Sequence, residues 1–553
     1  MKKLSTVLCV CFSRVSCALT LRQKEAGHLK NLFAILILCF SQTGLALVCG
    51  EVHRTKPREL VVEENWRLKP SQPERIRVAV FNPASAGRHY VQVLSDAGFD
   101  PIVVVTDRLE SMFEMVAKSM VKINEYPQRE RPGLLRRRFS EWGRFFRLGG
   151  KGQPEGKDQP EGKNQGNPFP EGHYVFLPDF NGDLDLLADH LLKLGVKHVV
   201  SGTETHGEVA QIVGQKIYSV TANQDVILKA LQDKAVLAKV LEKAGLPFPR
   251  GRVVRFVEDA IAFFIANGRR PVVGKPLDDA GARGNKVLES IQAIGEYFAE
   301  IFNHRTHEGK LVEEVLIQEK MQDREFAVNF RVVDGEFFVD SLIEYDKREV
   351  EVDKDKYKLY WVNRFRDPTK HPEFVKAALE AARAVGFKNG VVHAEVMLNS
   401  EGVATVIDMG FRPAGGAFEP AQKVLIGKTS VEMYVENLLA IEKGRRLRPV
   451  GKFPTDKFVA TFHVANIDPK AIMREDFEEH LKSLLGDNYA GFVSRFKDKG
   501  GQLLNKSINL ETMVAEIIVV AKTEKQLEQV ITRLKELEAA GELVRTERGD
   551  EAH

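Results

Sequence analysis

The hydrophobic and polar positions in the first folded part of the chain alternate between short β-branched runs and helical stretches. RIRVAVFNP (residues 75–83) precedes a helical pattern and a second strand-like run, FDPIVVVTD. The same order returns with HYVFLPDF, a helical stretch through LDLLADHLLKLG, VKHVVSGTETHG and a helix from Glu208. Strands that alternate with helices and end in Gly, Pro or Asp predict parallel βα units, so we expect a doubly wound α/β domain.

The pattern changes after about Asp233, where helices mix with strands of the antiparallel type. VLIQEKM, EFAVNFRVVDGEFFVDSLIEY and VATVIDMGF are such strands, and they predict an α+β domain up to about Leu439. From about Gly451, KFVATFHVA and MVAEIIVVAK predict two further strands before a helix capped at Thr523. The apolar face of that helix consists of Leu527, Val530, Ile531, Leu534 and Leu537. The pattern predicts a small C-terminal α+β domain.

An insertion separates the two halves of the first domain, from about residue 126 to residue 172. It contains QPEGK twice, at residues 153–157 and 159–163, and is rich in Gly, Pro, Gln and Lys. Such residues bury too little apolar area to offset the entropy of ordering the chain. We therefore expect a flexible loop.

A basic amphipathic stretch lies just before these repeats, near residues 135–148. Its two faces are formed by Leu135, Phe139, Trp142 and Phe146, and by Arg136, Arg137, Arg138, Arg144 and Arg147. A helix of this kind either packs on its own domain with the arginines in water or lies on an anionic membrane. We favour the first interpretation because one short stripe is a weak signal for membrane contact.

The first 50 residues form a leader that differs from the rest of the chain. Residues 31–50 carry no charge, residues 32–40 are continuously apolar, and Arg22, Lys24 and Lys30 precede them. A cleaved signal peptide fits the basic flank and the short apolar region, whereas a membrane anchor needs about 20 apolar residues. A translation start downstream of Met1 is the third interpretation, and all three stay open.

Composition narrows the class of protein. The chain has 553 residues, 43% hydrophobic and 28% charged, which is enough apolar material for about three domains. A formal net charge of +3 does not indicate nucleic acid as the main partner. All five cysteines lie in the leader, so the body has no thiol for disulfides, zinc or nucleophilic catalysis. We expect a cytoplasmic body, with membrane anchoring or export through the leader as the alternative.

A glycine-rich loop follows a strand-like run in RRPVVGKPLDDAGARGNKV. Lys275 lies at the end of the run, and Gly281 and Gly284 flank Arg283 in the loop. Glycines let backbone N–H groups approach phosphate oxygens, and a lysine on a strand places a positive charge against them. The spacing differs from the Walker motif, and a surface hairpin with a solvated lysine is the common alternative.

Two carboxylates lie on neighbouring runs in VVHAEVMLNSEGVATVIDMGFRPAGG. Glu395 and Asp408 are joined through the turn NSEG, so a hairpin brings them together. Paired carboxylates repel each other unless a cation lies between them, and hard oxygen ligands suit Mg²⁺. Arg412 follows beside Gly415 and Gly416, where it can stabilise charge on a reacting carboxylate or phosphate. A surface hairpin with two unrelated acids is the alternative, and the phosphate loop upstream argues against it.

Together these motifs resemble the ATP-grasp superfamily, and within it the carboxylate–amine ligases that include the L-amino-acid ligases. Five segments stand in the family's order between about residues 75 and 445: HVVSGTETHGEVAQIVGQ, DKAVLAKVLEKAGLPFPR, VVGKPLDDAGARGN, VLIQEKMQDREFAVNF and HAEVMLNSEGVATVIDMGFRPAGG. The resemblance implies a multidomain α/β and α+β protein. Its parts are a Rossmann-like pre-ATP-grasp domain (75–215, with the insertion 126–172), an ATP-grasp domain (216–445) and the small C-terminal domain (451–545).

The resemblance also implies which residues bind the nucleotide. Lys234 and Lys275 would contact its phosphates, and the loop with Gly281, Arg283 and Gly284 would close over them. Adenine would lie against a hinge, and ribose against a carboxylate further along the chain. The hinge residues are Glu319, Lys320 and Met321, and the carboxylate is Glu325.

The implied metal site departs from the family's pattern. Glu395 and Asp408 would hold Mg²⁺, and Arg412, together with Lys275, would stabilise the acyl-phosphate chemistry. In the family's Glu-x-Asn-x-Arg motif, Asp408 replaces Glu and Gly410 replaces the metal-binding Asn. One ligand is therefore lost, and water or another residue has to complete the coordination. Ala282 replaces a serine that is common in the phosphate loop of related ligases.

The implied function is ATP-dependent joining of a small-molecule carboxylate to an amine, such as an amino acid, through an acyl phosphate, with release of ADP and phosphate. The missing Asn at position 410 motivates the alternative of a catalytically impaired ATP-binding protein with a regulatory or interaction role. A carboxylase that uses bicarbonate is a third interpretation. The charged run at residues 345–367 either contributes to the substrate pocket or forms a solvated strand pair, and homo-oligomer formation stays open.

Overall fold

The computed structural model describes most of the chain beyond the leader. The leader (1–50), the insertion (126–172) with its basic stretch at 135–148, and loop residues Gly281, Ala282 and Arg283 lie outside the described residues. Within the described ranges, no helix combines the length and the apolar character needed to cross a bilayer. These ranges are 75–82, 87–105, 173–176, 183–203, 207–231, 233–277, 284–306, 311–322, 324–352, 355–447, 449, 451–494 and 501–546.

Among its described residues, the N-terminal part is a parallel sheet with three helices. Its strands are β1 (Arg77–Phe81), β2 (Asp100–Val105), β3 (His173–Phe176) and β4 (Val196–Ser201). Its helices are α1 (Arg88–Asp96), α2 (Leu184–Lys193) and α3 (Gly207–Lys216). The strand order is β3-β2-β1-β4, and all pairs are parallel. In the central strand β1, residues from Val78 to Phe81 are fully buried, as is typical of a parallel strand. The predicted α/β class of this part is confirmed.

A small antiparallel sheet with two covering helices follows. Helix α4 (Lys234–Lys243) precedes it, and its other elements are β5 (Gly251–Val254), α5 (Val257–Ala266), β6 (Val272–Pro276), β7 (Lys286–Leu288), α6 (Ile291–Ile301) and β8 (Val315–Glu319). The strand order is β5-β8-β6-β7. Phe264 of α5 and Ile294 and Tyr297 of α6 pack into one core with the strands. This sheet presents β6, and with it Lys275, toward the rest of the protein.

The remaining elements form a large antiparallel sheet and its covering helices. The strands are β9 (Glu325–Val333), β10 (Glu336–Val352), β11 (Asp355–Arg366), β12 (Gly390–Leu398), β13 (Ala404–Gly410), β14 (Phe458–Val464), β15 (Ala471–Ile472), β16 (Tyr489–Val493), β17 (Ala515–Ala521) and β18 (Arg545–Thr546). The helices are α7 (Pro372–Val385), α8 (Phe418–Ile426), α9 (Ser430–Glu442), α10 (Phe477–Leu485) and α11 (Glu524–Ala539). Short 3₁₀ turns occur at Leu228–Leu231, Pro368–Lys370, Gly486–Asn488 and Leu510–Thr512.

Eight of these strands pair into one sheet. The order is β13-β12-β9-β10-β11-β14-β17-β16, while β15 and β18 pair in a two-stranded sheet of their own. The join between the middle of the chain and its C-terminal segment (residues 451–546) is the pairing of β11 with β14, in which Asn363 faces Thr461. Strands β14, β16 and β17 of the C-terminal segment therefore extend the sheet of the preceding part, while β15 and β18 of the same segment form a separate two-stranded sheet.

Helix α11 is held on this sheet by apolar packing and by ion pairs. Thr523 caps its first turn by accepting a hydrogen bond from the Gln526 N–H, as the sequence predicted. Its buried face consists of Leu527, Ile531, Leu534 and Leu537. Three arginines of β10 and β11 pair with three of its glutamates: Arg348 with Glu538, Arg364 with Glu528, and Arg366 with Glu524. Ion pairs thus join helix α11 directly to β10 and β11, the strands that flank the candidate site.

A buried carboxylate lies at the start of α8. Glu419 is 2% exposed, and burial, reinforced by the nearby Asp340, raises its pKa to about 8. An unfolded glutamate has a pKa of about 4.3. The folded state therefore keeps a proton that the unfolded state releases, and stability falls as the pH rises from about 4 to about 8.

Replacing this carboxyl by an amide removes the ionisation. We expect Glu419→Gln to match the unmodified protein at pH 5 and to be more stable by about 4 kcal/mol at pH 9, because each of the roughly three pH units between 5 and the folded pKa contributes about 1.4 kcal/mol. Urea unfolding at both pH values measures this. Glu401→Gln, in the exposed turn before β13, is the control and is expected to leave the pH dependence unchanged. A Glu419→Gln protein with the original pH dependence would show that this carboxyl is not protonated in the folded state.

Candidate functional site

Two carboxylates face each other across a β-hairpin. Glu395 of β12 lies directly opposite Asp408 of β13, as the sequence predicted. The turn is closed by Asn399, whose side-chain oxygen accepts hydrogen bonds from the N–H groups of Glu401 and Val403. The register shifts immediately after the acidic pair, and such bulges are common beside functional sites because they redirect side chains. The hairpin therefore presents two acids on one face of the sheet.

Two lysines approach these acids from the other side. Lys234 is the first residue of α4, and its Nζ lies 3.6 Å from Asp408 Oδ2. Lys275 lies on β6, where burial lowers its pKa, while the carboxylates of Asp408, Glu395 and Glu325 favour its charged form. The Lys234 N–H donates to the carbonyl of Leu277, just after β6, so the two lysines are held together. The site lies where the small sheet meets the large one.

Glu395 is held in its ionised form. Burial opposes ionisation, but His393, Lys347 and Tyr360 together lower its pKa to about 2. The Tyr360 hydroxyl donates to Glu395 Oε1 over 3.1 Å, and His393 Nε2 lies 3.9 Å from the same oxygen. A carboxylate that stays charged in a partly buried site is suited to a cation.

Glu325, at the start of β9, lies in a buried ion pair. Its side chain is 5% exposed, and both of its oxygens accept hydrogen bonds from Lys347 Nζ, over 2.8 and 2.7 Å. Lys347 also lies 4.6 Å from the centre of the Tyr360 ring. Burial raises the pKa of Glu325, and the charge of Lys347 counteracts this. Lys347 thus lies between the candidate ribose carboxylate and the candidate metal carboxylate Glu395.

The candidate adenine hinge connects the two sheets. Glu319, the last residue of β8, accepts hydrogen bonds from the backbone and guanidinium of Arg250. Lys320 donates its N–H to the Pro271 carbonyl, and Met321 is 7% exposed. The hydrogen bonds of Glu319 and Lys320 and the burial of Met321 hold this segment in place, which suits a segment that positions a flat ring.

Arg412 opens the loop of residues 412–417 that leads from β13 to α8. Its Nη1 donates to the carbonyl oxygen of Pro413, and its charge acts on the buried Tyr345. The Tyr345 hydroxyl lies 3.3 Å from His393 Nε2, two residues before Glu395 in β12. Arg412 is therefore placed on the same face of the sheet as the acidic pair.

No motif in the sequence marks Lys347, Tyr360 or His393 as residues of the site. Lys347 and Tyr360 face each other across β10 and β11, inside the charged run at residues 345–367. Period-two alternation in a strand puts Tyr345 and Lys347 on one face, and the same rule puts His393 with Glu395. This alternation is the sequence signal for residues that share a face. It does not reveal which face of β10, β11 or β12 is turned toward the site.

The donor set fits a magnesium ion bound together with nucleotide phosphates. Among the described residues, no group of three or more His, Cys, Asp or Glu side chains could hold a metal ion. Glu395 and Asp408 offer two hard oxygen ligands, and phosphate oxygens and water would complete an octahedral shell. Gly410 lies opposite His393 and has no side chain to contribute.

Comparisons with known proteins agree with this architecture. No family model matches the chain. Dapdiamide A synthase of Enterobacter agglomerans is 21% identical over 363 residues, which cover 65% of this chain and 83% of that protein.

Solved structures match over most of both chains. An L-amino acid ligase from Bacillus licheniformis has a TM-score of 0.56 at 13% identity, covering 84% of this chain and 98% of its own. An N5-carboxyaminoimidazole ribonucleotide synthetase in complex with ADP has a TM-score of 0.52 at 12% identity, covering 85% and 97%. The biotin carboxylase domain of Hydrogenobacter thermophilus 2-oxoglutarate carboxylase, solved with MgADP, ADP and bicarbonate, scores 0.50 at 13% identity, covering 84% and 90%.

These matches establish the fold. The chain has the ATP-grasp fold, with a parallel N-terminal α/β part followed by the two antiparallel sheets between which the lysines and carboxylates converge. The fold predicted from the five sequence segments is confirmed. Among named proteins, the chain is similar to a dapdiamide synthase in sequence and to an L-amino acid ligase in structure.

Proposed function

We propose that the protein is an ATP-dependent carboxylate–amine ligase that works through an acyl phosphate. The observation that carries the proposal is the convergence of Lys234 and Lys275 with the facing carboxylates Glu395 and Asp408. The lysines suit the phosphates of a nucleoside triphosphate, and the paired acids suit its metal ion. The names of the ligases to which the chain is similar, and the ADP and MgADP in the other structures, support the same assignment.

In this proposal the nucleotide lies between the two sheets. Lys234 and Lys275 bind its phosphates, and the loop with Gly281, Arg283 and Gly284 covers them. Adenine lies against Glu319, Lys320 and Met321. The ribose hydroxyls lie against Glu325, whose carboxylate has lone pairs beyond the two that Lys347 occupies.

The chemical step needs no nucleophilic side chain. Glu395 and Asp408 would hold Mg²⁺, which would supply positive charge to the transferring phosphoryl group. The substrate carboxylate attacks the γ-phosphorus, the bond to the β-phosphate oxygen breaks, and ADP leaves. The amine then attacks the acyl carbon, loses a proton and expels phosphate. Arg412 stabilises the charge on the reacting carboxylate, and closure of the site keeps water from the acyl phosphate.

Gly410 motivates a second candidate, an ATP-binding regulatory protein without ligase activity. His393, Lys347 and Tyr360 keep Glu395 ionised, which suits the binding of Mg-ATP in both candidates, so turnover has to separate the ligase from the regulatory protein. A bicarbonate-dependent carboxylase is the third candidate, since one of the similar structures is a biotin carboxylase domain solved with bicarbonate.

One assay separates the three candidates. The purified protein is incubated with Mg-ATP, hydroxylamine and single amino acids or small carboxylates. We expect at least one carboxylate to give a hydroxamate and ADP without AMP, because the site stabilises phosphoryl transfer. Formation of AMP would contradict the acyl-phosphate route. ADP release that depends on bicarbonate would indicate the carboxylase, and nucleotide binding without turnover across the panel would indicate the regulatory protein.

A further inference from the structure

A row of polar side chains crosses the large sheet from the candidate site into the C-terminal segment. Tyr360, which donates to Glu395, has its ring centre 5.8 Å from that of His463 on β14. His463 Nε2 in turn lies 4.0 Å from Glu516 Oε2 on β17, and the two residues are paired in register. The row therefore ends at a carboxylate from a part of the chain to which the sequence assigns no role.

Glu516 is in direct contact with the loop that begins at Arg412. Its Oε2 accepts a hydrogen bond from the Ala417 N–H over 2.8 Å. Gly416 has a φ of +59°, and a Cβ at this position would lie 2.5 Å from the same oxygen. The carboxylate thus occupies the space that any side chain at position 416 would need, and only glycine allows the contact.

This contact also caps a helix. Ala417 is the N-cap residue of α8 and has no side chain that could accept the free N–H groups of the first turn. A carboxylate at a helix N-terminus makes a charge-assisted hydrogen bond and interacts favourably with the helix dipole. Glu516 supplies this cap from β17, which is 99 residues further along the chain.

The capped loop carries the groups that act on the substrate. Arg412 stands at its start, and Phe418, directly after Ala417, stacks on Tyr345 with ring centres 5.8 Å apart. Tyr345 contacts His393, beside Glu395. Fixing Ala417 therefore fixes the far end of a loop that joins Arg412 to the ring packed behind the acidic pair.

We infer that Glu516 is a positioning residue for the ligase reaction. It holds residues 412–417 from the C-terminal segment and so aligns Arg412 with the reacting carboxylate, an inference that rests on the proposed function. The phosphate contacts of Lys234 and Lys275 come from other elements and do not depend on this loop. Loss of Glu516 therefore slows turnover while nucleotide affinity is kept.

The test compares five variants in the hydroxamate assay and in ADP titrations. Glu516→Ala removes the acceptor, and we expect kcat to fall about tenfold or more with ADP affinity within about twofold, as small misalignments are costly. Glu516→Gln keeps an acceptor for the Ala417 N–H and is expected to recover most of the rate.

Gly416→Ala adds a Cβ that collides with the Glu516 carboxylate and displaces the loop. We expect this change to lower kcat by a smaller factor in the Glu516→Ala background, where the colliding atoms are gone. Glu479→Ala, exposed on α10, is the control.

Hydrogen exchange of the peptide that contains residues 412–417 gives a readout independent of activity. We expect exchange to be faster in Glu516→Ala than in the unmodified protein or in Glu516→Gln. Unchanged exchange, or an unchanged kcat in Glu516→Ala, overturns the inference, as does a loss of ADP affinity equal to the loss of rate. If the unmodified protein makes no hydroxamate but Glu516→Ala still speeds exchange, the proposed function has failed and the role of Glu516 in holding the loop stands.

Discussion

Lys275→Ala is expected to abolish most ATP binding while leaving the fold intact. The positive charge of Lys275 interacts with Asp408 and Glu395. Without Lys275, less positive charge remains in the site to offset the repulsion between these carboxylates and the triphosphate. We expect at least a 100-fold loss of affinity, equivalent to about 2.7 kcal/mol. Calorimetric titration with ATP and Mg²⁺ measures it directly.

A second lysine of the same sheet is the matched control. Lys286 on the neighbouring strand β7 is exposed and lies 3.5 Å from Glu300, away from the acidic pair. Lys286→Ala is expected to bind ATP as the unmodified protein does. If the Lys275→Ala protein is folded and its affinity is unchanged, Lys275 does not belong to the nucleotide site.

Asp408→Ala is expected to lower hydroxamate formation by about 100-fold or more. Gly410 has no side chain to bind a metal, so this change leaves Glu395 as the one carboxylate of the facing pair and also removes the carboxylate 3.6 Å from Lys234 Nζ. Metal charge on the transferring phosphoryl group is among the largest contributions to such catalysis. The rate is measured as ADP release and hydroxamate yield across a range of Mg²⁺ concentrations.

The same hairpin provides the control for this change. Glu401 lies in the exposed turn between β12 and β13, and Glu401→Ala is expected to keep full activity. High Mg²⁺ should partly restore Asp408→Ala if the loss is one of metal affinity. Undiminished turnover in Asp408→Ala at low Mg²⁺ would refute the metal assignment.

Local patterns in the sequence predicted much of this architecture. Alternating strands and helices predicted the parallel N-terminal sheet, and the turn NSEG predicted the hairpin that joins Glu395 to Asp408, because both depend on residues close together in the chain. The five ordered segments predicted the ATP-grasp fold. Short-range periodicity and ordered motifs are sufficient for features of this kind.

Other parts of the site depend on pairings that no local pattern specifies. Tyr360 reaches Glu395 because the register of β10 and β11 shifts around Trp361, which has no counterpart on β10. Glu516 reaches Ala417 because β14 pairs with β11 and β17 pairs with β14. Such registers are set by the packing of whole strands, so the sequence alone could not bring these residues to the site.

The joining of β11 to β14 also bears on how the protein is made. During synthesis β11 is complete at Arg366, whereas its neighbour β14 begins only at Phe458. Until that later stretch leaves the ribosome, β11 has an open row of backbone donors and acceptors, which is a template for pairing with other chains. The central sheet can therefore be closed only after most of the polypeptide has been translated, and the nascent chain has to be kept from self-association during that interval.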